Sequence, residues 1–389
     1  MSSIEPVPAN PLRMRVPVSS PVITAAAKQY VAAAMESGWV SSGGPAVALF
    51  EQRFSAYLGV KHAVASSSGT TALHLAMLAL DIGPGDEIIV PDFTMFSPVA
   101  AVLYTGARPV LVDCEPDTFN IDVGRVAAAI TSRTRAVLPV HLYGHSVDMD
   151  PLLDLASSAG ISVIEDAAEA HGSRYKGQPC GAMGDIGCFS FYGNKIITTG
   201  EGGMLVTNDD AIAHRARELR NMAHASGQRF LHEAVGYSYR MGNLQAACGV
   251  GQLESIDAFL KHKKWMASEY QRALARHAEL RLPITHPNCD NSFWMYAVLL
   301  HPDCLLSRDE FRAGLDERGV ETREFFKSTG SQPIFRSRVG LQGPFPVSED
   351  IARRGLYLPS GLGITQEQIG IVCDAIADVL SQARMHGGV

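Results

Sequence analysis

The sequence predicts an α/β protein with a mostly parallel sheet in a large first domain and a smaller C-terminal α+β domain. Its 389 residues exceed what one hydrophobic core usually serves. Short apolar runs alternate with helix-like segments, which is typical of a parallel sheet with helical crossovers. From about residue 251 to 280 the chain becomes charged and helical, and short strands mixed with helices follow. We therefore predict a large domain at residues 1–255, including an N-terminal lead-in segment, and a small domain at 256–389.

The strand predictions come from apolar runs of three to five residues. They lie at residues 87–90, 110–112, 136–140, 161–164, 188–191 and 204–206. Helix-like segments such as 71–80 and 150–159 are long enough to cross from one parallel strand to the next. Because ligands of such sheets bind beyond the carboxyl ends of the strands, polar residues directly after these runs are functional candidates.

Composition excludes several classes of function. A net charge of −7 with 19% charged residues disfavours binding to nucleic acid or to an anionic membrane. The first residues lack the apolar core of a signal peptide, and no run approaches the roughly 20 apolar residues of a membrane span, so we expect a cytoplasmic protein. Seven cysteines without a C-x-x-C pair predict buried thiols. We expect no metal site, and we interpret His141 and His145 in PVHLYGH as structural.

The segment ASSSGTTALHLAML, residues 65–78, interrupts an apolar run with small residues and then begins an amphipathic helix. Unpaired N–H groups and the helix dipole favour an anion at such a helix start, so Gly69 and Thr70 are candidate phosphate ligands. The alternative is a simple Ser or Thr N-cap without a ligand.

Two further candidates follow strand-like runs. In ISVIEDAAEAHG, Asp166 ends a buried run, where it either meets a cation or caps the next helix, and Glu169 lies three residues on. Lys195 in SFYGNKIITTGEGG lies one predicted strand further along. A desolvated lysine can form a Schiff base, and a carboxylate can pair with a protonated ring nitrogen. Together with an anion site, these groups meet the demands of pyridoxal phosphate.

Several segments carry a family resemblance. They are SGWVSSGGPAVALFE (37–51), SSGTTALHLA, GPGDEIIVPDFT, EDAAEAHG, SFYGNKIITTGEGG and GYSYRMGNLQAA (236–247). Over most of its length the chain resembles the DegT/DnrJ/EryC1/StrS family of sugar aminotransferases. The resemblance implies the fold-type I, aspartate aminotransferase-like architecture and pyridoxal 5'-phosphate as cofactor, with pyridoxamine 5'-phosphate formed during turnover.

The resemblance also implies roles for individual residues. Lys195 would bind the cofactor covalently and then carry the proton between substrate and cofactor carbons. Asp166 would pair with the pyridine nitrogen, and Glu169 matches a position, often Gln, that contacts the ring hydroxyl. The positions that match phosphate contacts are Gly69, Thr70 and Ser190.

Two positions depart from the family pattern. Met95 lies where many relatives have an aromatic residue over the cofactor ring, and a thioether can also pack on a ring face. Ser238 lies where relatives commonly have Asn, which reaches the phosphate in the neighbouring subunit. The resemblance therefore implies a homodimer with shared active sites, in which the shorter Ser238 replaces that Asn.

The implied reaction is transfer of an amino group from L-glutamate or L-glutamine to a nucleotide-linked keto-sugar. Dehydratases of the family have His in place of Lys195, so the lysine favours aminotransfer. The segments FYGNKIITTGEGGM and SFWMYAVLL are most similar to enzymes that aminate C-4 of GDP-4-keto-6-deoxymannose. The alternatives are C-3 or C-4 amination of a UDP- or dTDP-linked keto-sugar, another fold-type I enzyme, or a non-catalytic regulator that binds the cofactor. We also consider His224, Arg229 and His232 as contacts for a substrate diphosphate.

Overall fold

The computed structural model describes residues 16–224, 230–232 and 234–387. The strands, in chain order, are β1 His62–Ser66, β2 Glu87–Pro91, β3 Arg108–Val112, β4 Thr134–Val137, β5 Ser162–Asp166, β6 Arg174–Tyr175, β7 Gln178–Pro179, β8 Ile186–Ser190, β9 Gly203–Thr207, β10 Leu280–Arg281, β11 Cys289–Asp290, β12 Tyr296–Leu300, β13 Arg323–Glu324 and β14 Gly355–Leu358. The helices are α1 Ala25–Glu36, α2 Pro45–Leu58, α3 Gly69–Ala79, α4 Ser97–Thr105, α5 Val123–Ala129, α6 Met149–Ala159, α7 Asp210–Arg220, α8 Asn243–Leu253, α9 Ile256–Leu274, α10 Arg308–Glu317, α11 Pro333–Val339, α12 Pro346–Arg354 and α13 Gln366–Gly387.

A seven-stranded sheet forms the larger part of the structure, in the order β1-β9-β8-β5-β4-β2-β3. Strands β3, β2, β4, β5 and β8 pair in parallel, whereas β9 is antiparallel to both of its neighbours. The predicted mostly parallel sheet is confirmed. Strands β2 and β9 are buried along their whole length, because helices cover both faces of such a sheet.

The carboxyl ends of several strands meet at one edge of this sheet. Asp166 ends β5 and Ser190 ends β8, and these two strands are direct neighbours. Strand β1 runs parallel to β8, since both are antiparallel to β9, and its last residue Ser66 pairs with Gly203. The start of α3 at Gly69 therefore lies at the same edge as Asp166 and Ser190.

The first turn of helix α3 is set by a capping motif in its sequence. The Ser68 side chain accepts a hydrogen bond from the Thr71 N–H, and Thr71 Oγ1 accepts one from the Ser68 N–H. This reciprocal capping box fixes the first turn of the helix. The predicted helices at 71–80 and 150–159 correspond to α3 and α6.

A second, antiparallel sheet has the strand order β10-β12-β14-β13. It shares a hydrophobic cluster with helices α9, α10 and α13, in which Tyr270, Tyr296 and Phe311 are fully buried. Val16, from the N-terminal lead-in segment, joins this cluster and forms a bridge with Val320. The C-terminal unit is thus α+β. The division at residue 256 coincides with the start of α9 and stays a prediction.

Among the described residues, no helix combines the length and the apolar character needed to cross a membrane.

Candidate active site

A cavity of about 360 Å³ lies at the edge of the seven-stranded sheet where the strand ends meet. All of the predicted site residues except Ser238 line it. They are Gly69, Thr70, Met95, Asp166, Glu169, Ser190 and Lys195. The structure therefore brings together residues that lie up to more than one hundred positions apart in the chain.

The start of α3 forms one wall of this cavity by very close approach to β8. A Cβ atom on Gly69 would lie 2.8 Å from the Ser190 Cβ, and one on Gly203 would lie 2.2 Å from the Ser68 carbonyl oxygen. Only glycine fits at either position. The Thr70 hydroxyl donates to the Ser97 hydroxyl at 3.0 Å. Backbone N–H groups of α3 and these hydroxyls are the donors that a phosphate requires.

Lys195 lies in the segment that connects β8 to β9 and points into the cavity. Its Nζ is 3.9 Å from Glu169 Oε1 and 3.8 Å from the centroid of the Trp294 ring. Burial lowers the pKa of Lys195, and the nearby carboxylates of Glu169 and Asp166 oppose that effect. Burial thus favours the neutral amine that a nucleophile needs, while two acids remain close enough to stabilise the ammonium form.

The two acids differ in their environment. Burial raises the pKa of Asp166, and the Ala168 N–H and Lys195 oppose this rise. Burial raises the pKa of Glu169 to about 7, again opposed by Lys195 and by the Tyr143 N–H. Glu169 therefore titrates near neutral pH. A cation that enters the cavity beside Asp166 would favour its ionised form.

The backbone of Tyr143 has an unusual conformation that directs its N–H toward Glu169. Its φ of 55° is in the left-handed region, which a bulky residue adopts only under constraint. In this conformation its N–H donates to Glu169 Oε2 at 2.9 Å, and its hydroxyl lies 3.1 Å from the hydroxyl of Tyr357. The bend fixes Glu169 in the orientation that brings its other oxygen toward Lys195.

Next to the site, Glu165 and His141 form a fully buried pair. His141 Nε2 lies 2.8 Å from Glu165 Oε2, and its Nδ1 accepts from the Val147 N–H, so Nε2 is the donor to Glu165. Glu165 also accepts from the N–H groups of Gly181, Met183 and Gly184. These contacts agree with the structural interpretation of His141.

His145 is also engaged in the framework. Its Nδ1 lies 2.7 Å from the Ser146 carbonyl, and its Nε2 accepts from the His286 N–H at 3.1 Å. Within the described part of the chain, no group of His, Cys, Asp and Glu has the arrangement of a metal site.

The predicted residues outside or at the rim of the cavity have different surroundings. Met95 lines the cavity and is 52% exposed, so one side of it is free to pack on a ring. Ser238 is exposed, does not line the cavity of its own chain, and accepts from Arg240 Nη2 at 2.8 Å. The rings of His224 and His232 lie 4.6 Å apart, whereas Arg229 lies outside the described residues.

The sequence reasoning missed the wall that the C-terminal unit contributes. That wall is formed by Trp294, Met295, Arg323, Phe326 and Tyr357. These residues follow no apolar run of the large sheet, so the strand-end argument does not reach them. The segment SFWMYAVLL contains Trp294 and was the signal available in the sequence.

The cavity fits pyridoxal phosphate. Within the described residues, Thr94 Oγ1 and Asn194 Oδ1 are buried without a hydrogen-bond partner, and both residues line the cavity. A polar ligand would satisfy such atoms. Gly69 and Thr70 offer donors to its phosphate, Asp166 an acid for its ring nitrogen, and Lys195 an amine. This fold and this site define a pyridoxal phosphate-dependent aminotransferase.

Comparison with known proteins gives the family. The chain belongs to the DegT/DnrJ/EryC1/StrS aminotransferase family, which matches residues 21–377. It is 43% identical to a GDP-perosamine synthase from Caulobacter vibrioides, over 94% of this chain and 98% of that protein. It is 40% identical to a dTDP-3-amino-3,4,6-trideoxy-alpha-D-glucose transaminase from Streptomyces venezuelae, over 86% and 87%.

A solved structure agrees with this assignment. The crystal structure of DesV from S. venezuelae matches with a TM-score of 0.86 and 39% identity, covering 91% of this chain and 94% of that one. The resemblance seen in the sequence, the aspartate aminotransferase-like fold and the activity of a pyridoxal phosphate-dependent sugar aminotransferase are thereby confirmed.

Proposed function

We propose that this enzyme transfers the amino group of L-glutamate to C-4 of GDP-4-keto-6-deoxymannose, which yields GDP-perosamine and 2-oxoglutarate. The observation that carries the chemistry is the buried Lys195 amine, 3.9 Å from Glu169 in a cavity that Asp166 also lines. The 43% identity to a GDP-perosamine synthase supports the choice of substrate. The 40% identity to a dTDP-linked sugar transaminase keeps a UDP- or dTDP-linked substrate as the alternative.

Each residue has a proposed part in this reaction. Pyridoxal phosphate, when bound, supplies an electron sink for the carbon that loses its proton, and it carries the amino group between the two substrates as pyridoxamine phosphate. Lys195 holds the cofactor and then moves a proton at its Nζ. Asp166 keeps the ring nitrogen protonated. Gly69, Thr70 and Ser190 bind the phosphate.

The second wall has features that suit anionic substrates. Arg323 is exposed at the cavity, and its guanidinium offers a fork of donors that matches a carboxylate or a diphosphate. Both L-glutamate and a nucleotide-linked sugar carry such groups. We therefore propose that Arg323 contacts one of them.

We also propose a homodimer in which Ser238 faces the partner's cofactor phosphate. Ser238 is exposed and does not line the cavity of its own chain, which leaves it accessible to another subunit. The Arg240 side chain donates to it and adds positive charge beside it. The cytoplasmic location stays a prediction from the sequence.

A single-turnover experiment tests the substrate. The enzyme is loaded with pyridoxamine phosphate and mixed with GDP-4-keto-6-deoxymannose, and the visible absorption of the lysine-bound cofactor is followed. We expect rapid return of this absorption. A return only with a UDP- or dTDP-linked keto-sugar would keep the chemistry and overturn the proposed substrate.

The variant Lys195→Ala tests the lysine. We expect a folded protein that lacks the visible absorption of a lysine-bound cofactor and has lost turnover. Lys264→Ala, at an exposed lysine of α9 outside the cavity, is the control and should retain both. Turnover by Lys195→Ala would show that another group holds the cofactor and moves the proton.

A further inference from the structure

Trp294 contacts Lys195, and this contact has no role in the reaction proposed above. Its ring is 5% exposed, and its face is 3.8 Å from Lys195 Nζ. Its Nε1–H donates to the carbonyl of Asn194 at 2.8 Å, the residue that directly precedes the lysine. The ring is thus attached to the same loop that carries Lys195, although Trp294 itself comes from the C-terminal part of the chain, just before β12.

A second buried lysine holds Trp294 in place. Lys263 on α9 is 2% exposed, and its Nζ donates to the Trp294 carbonyl at 2.7 Å and to the Ser360 carbonyl. No carboxylate forms an ion pair with Lys263 within the described residues. The Ser360 hydroxyl in turn accepts from the Tyr296 N–H at 2.9 Å. Because a buried amine needs hydrogen-bond acceptors to offset its loss of water, Lys263 ties the Trp294 and Ser360 carbonyls together in one fixed arrangement.

We propose that Trp294, fixed by Lys263, is a positioning residue that holds the Lys195 amine and stabilises its protonated form while it carries a proton. This inference rests on the assignment of Lys195 as the cofactor lysine. The face of an indole ring is electron-rich and attracts an ammonium group more strongly than a neutral amine, and the effect is larger in a desolvated site.

The ring complements the charged groups around the lysine. Asp166 and Glu169 also favour the ammonium form, whereas burial acts against it, and His171, whose pKa burial lowers to about 3, carries no charge near neutral pH. Glu169 titrates near neutral pH, so its support varies with pH, whereas the ring carries no titratable group. Trp294 therefore offers Lys195 a partner whose contribution does not change with pH.

The test compares Trp294→Leu with Trp294→Phe in the enzyme loaded with pyridoxal phosphate. Phenylalanine keeps a ring face but loses the Nε1–H, whereas leucine loses both. We expect Trp294→Leu to slow the half-reaction with L-glutamate by about tenfold or more, with a smaller change in KM. The lower pH midpoint of that rate should also fall by about one pH unit, because the ammonium form of Lys195 loses a stabilising partner and its pKa drops. Trp294→Phe should recover most of the rate and most of the shift in the pH midpoint. Trp265→Phe, a half-buried tryptophan of α9 that does not line the cavity, is the control.

Lys263→Met tests the second half of the proposal, with the exposed neighbour Lys264→Met as its control. The chain has three tryptophans, and Trp294 is the one that lines the cofactor cavity. The bound cofactor should quench its fluorescence. In Lys263→Met we expect less quenching and a slower half-reaction, because the Trp294 backbone is released, whereas Lys264→Met should match the wild type.

The outcomes separate this inference from the proposed function. If Trp294→Leu reacts with the rate and pH midpoint of the wild type, or if Trp294→Phe is as impaired as Trp294→Leu, the positioning role of the ring is wrong. If quenching in Lys263→Met equals that of the wild type, the role of Lys263 is wrong. A wild-type enzyme without the absorption of a lysine-bound cofactor would overturn the proposed function as well.

Discussion

Glu169 allows a quantitative test of the electrostatics of the site. Its pKa is raised from 4.5 to about 7 because the carboxyl group is buried. A carboxyl with a raised pKa favours the folded state in its protonated form. That contribution is complete below pH 4.5 and is lost as the pH rises through 7. The difference corresponds to about 3 kcal/mol in the free energy of unfolding.

The variant Glu169→Gln removes this titration. The amide has a similar shape and can still accept the hydrogen bond from the Tyr143 N–H. At pH 8 the variant escapes the cost of burying the carboxylate, and the pKa of about 7 already includes the opposing attraction of Lys195 at 3.9 Å. We therefore expect a net gain of about 3 kcal/mol at pH 8, and almost none near pH 4.5.

Thermal unfolding of the cofactor-free protein at fixed concentration, from pH 4.5 to 8, measures this effect. An unfolding entropy of about 2.1 cal/mol/K per residue converts the expected gain into a rise in Tm of about 4 °C at pH 8. Glu36→Gln, an exposed carboxylate at the end of α1, is the control and should follow the wild type. If Tm changes with pH in the same way for the wild type and for Glu169→Gln between pH 4.5 and 8, the reasoning is refuted.

Two further predictions concern the framework of the site. Gly69→Ala places a Cβ 2.8 Å from the Ser190 Cβ, so we expect cofactor binding to weaken by about tenfold or more in an absorbance titration. Gly370→Ala, in the interior of α13 with open space around it, is the control and should instead raise stability by up to about 1 kcal/mol. Glu165→Ala leaves three N–H groups and His141 without their acceptor, so we expect a loss of about 3 kcal/mol or more, seen as a lower Tm. An unchanged Tm in Glu165→Ala, or unchanged cofactor affinity in Gly69→Ala, would contradict these predictions.

The parts of the fold that depend on local pattern could be predicted from the sequence. The apolar runs of β2 and β8 are recognisable because both faces of those strands are buried, and each prediction overlaps the observed strand. Strand β1, with the sequence HAVAS, has too few large apolar residues to be recognised. The reversed direction of β9 leaves no local signal, because direction depends on how the chain returns to the sheet.

The residues of the candidate site also separate into those that the sequence predicts and those that it does not. Asp166 ends a strand and Lys195 follows one, so the carboxyl-end rule reaches them, whereas Ser190 is indicated only by the family resemblance. Trp294 and Arg323 enter the cavity only through the packing of two distant parts of the chain, which no spacing in the sequence encodes. The bent backbone of Tyr143 is likewise set by its surroundings, since residues of this type do not favour a positive φ.

The two walls of the cavity have separate origins, and this has a consequence for how such an enzyme can change. Lys195, Asp166 and the phosphate contacts come from the sheet edge, where a side chain on Gly69 or Gly203 would collide with neighbouring atoms. Arg323 and Phe326 come from the other unit, with Arg323 exposed. Under the proposed role of Arg323, substitutions on the second wall can change which anionic substrate is accepted, while the residues at the sheet edge stay unchanged.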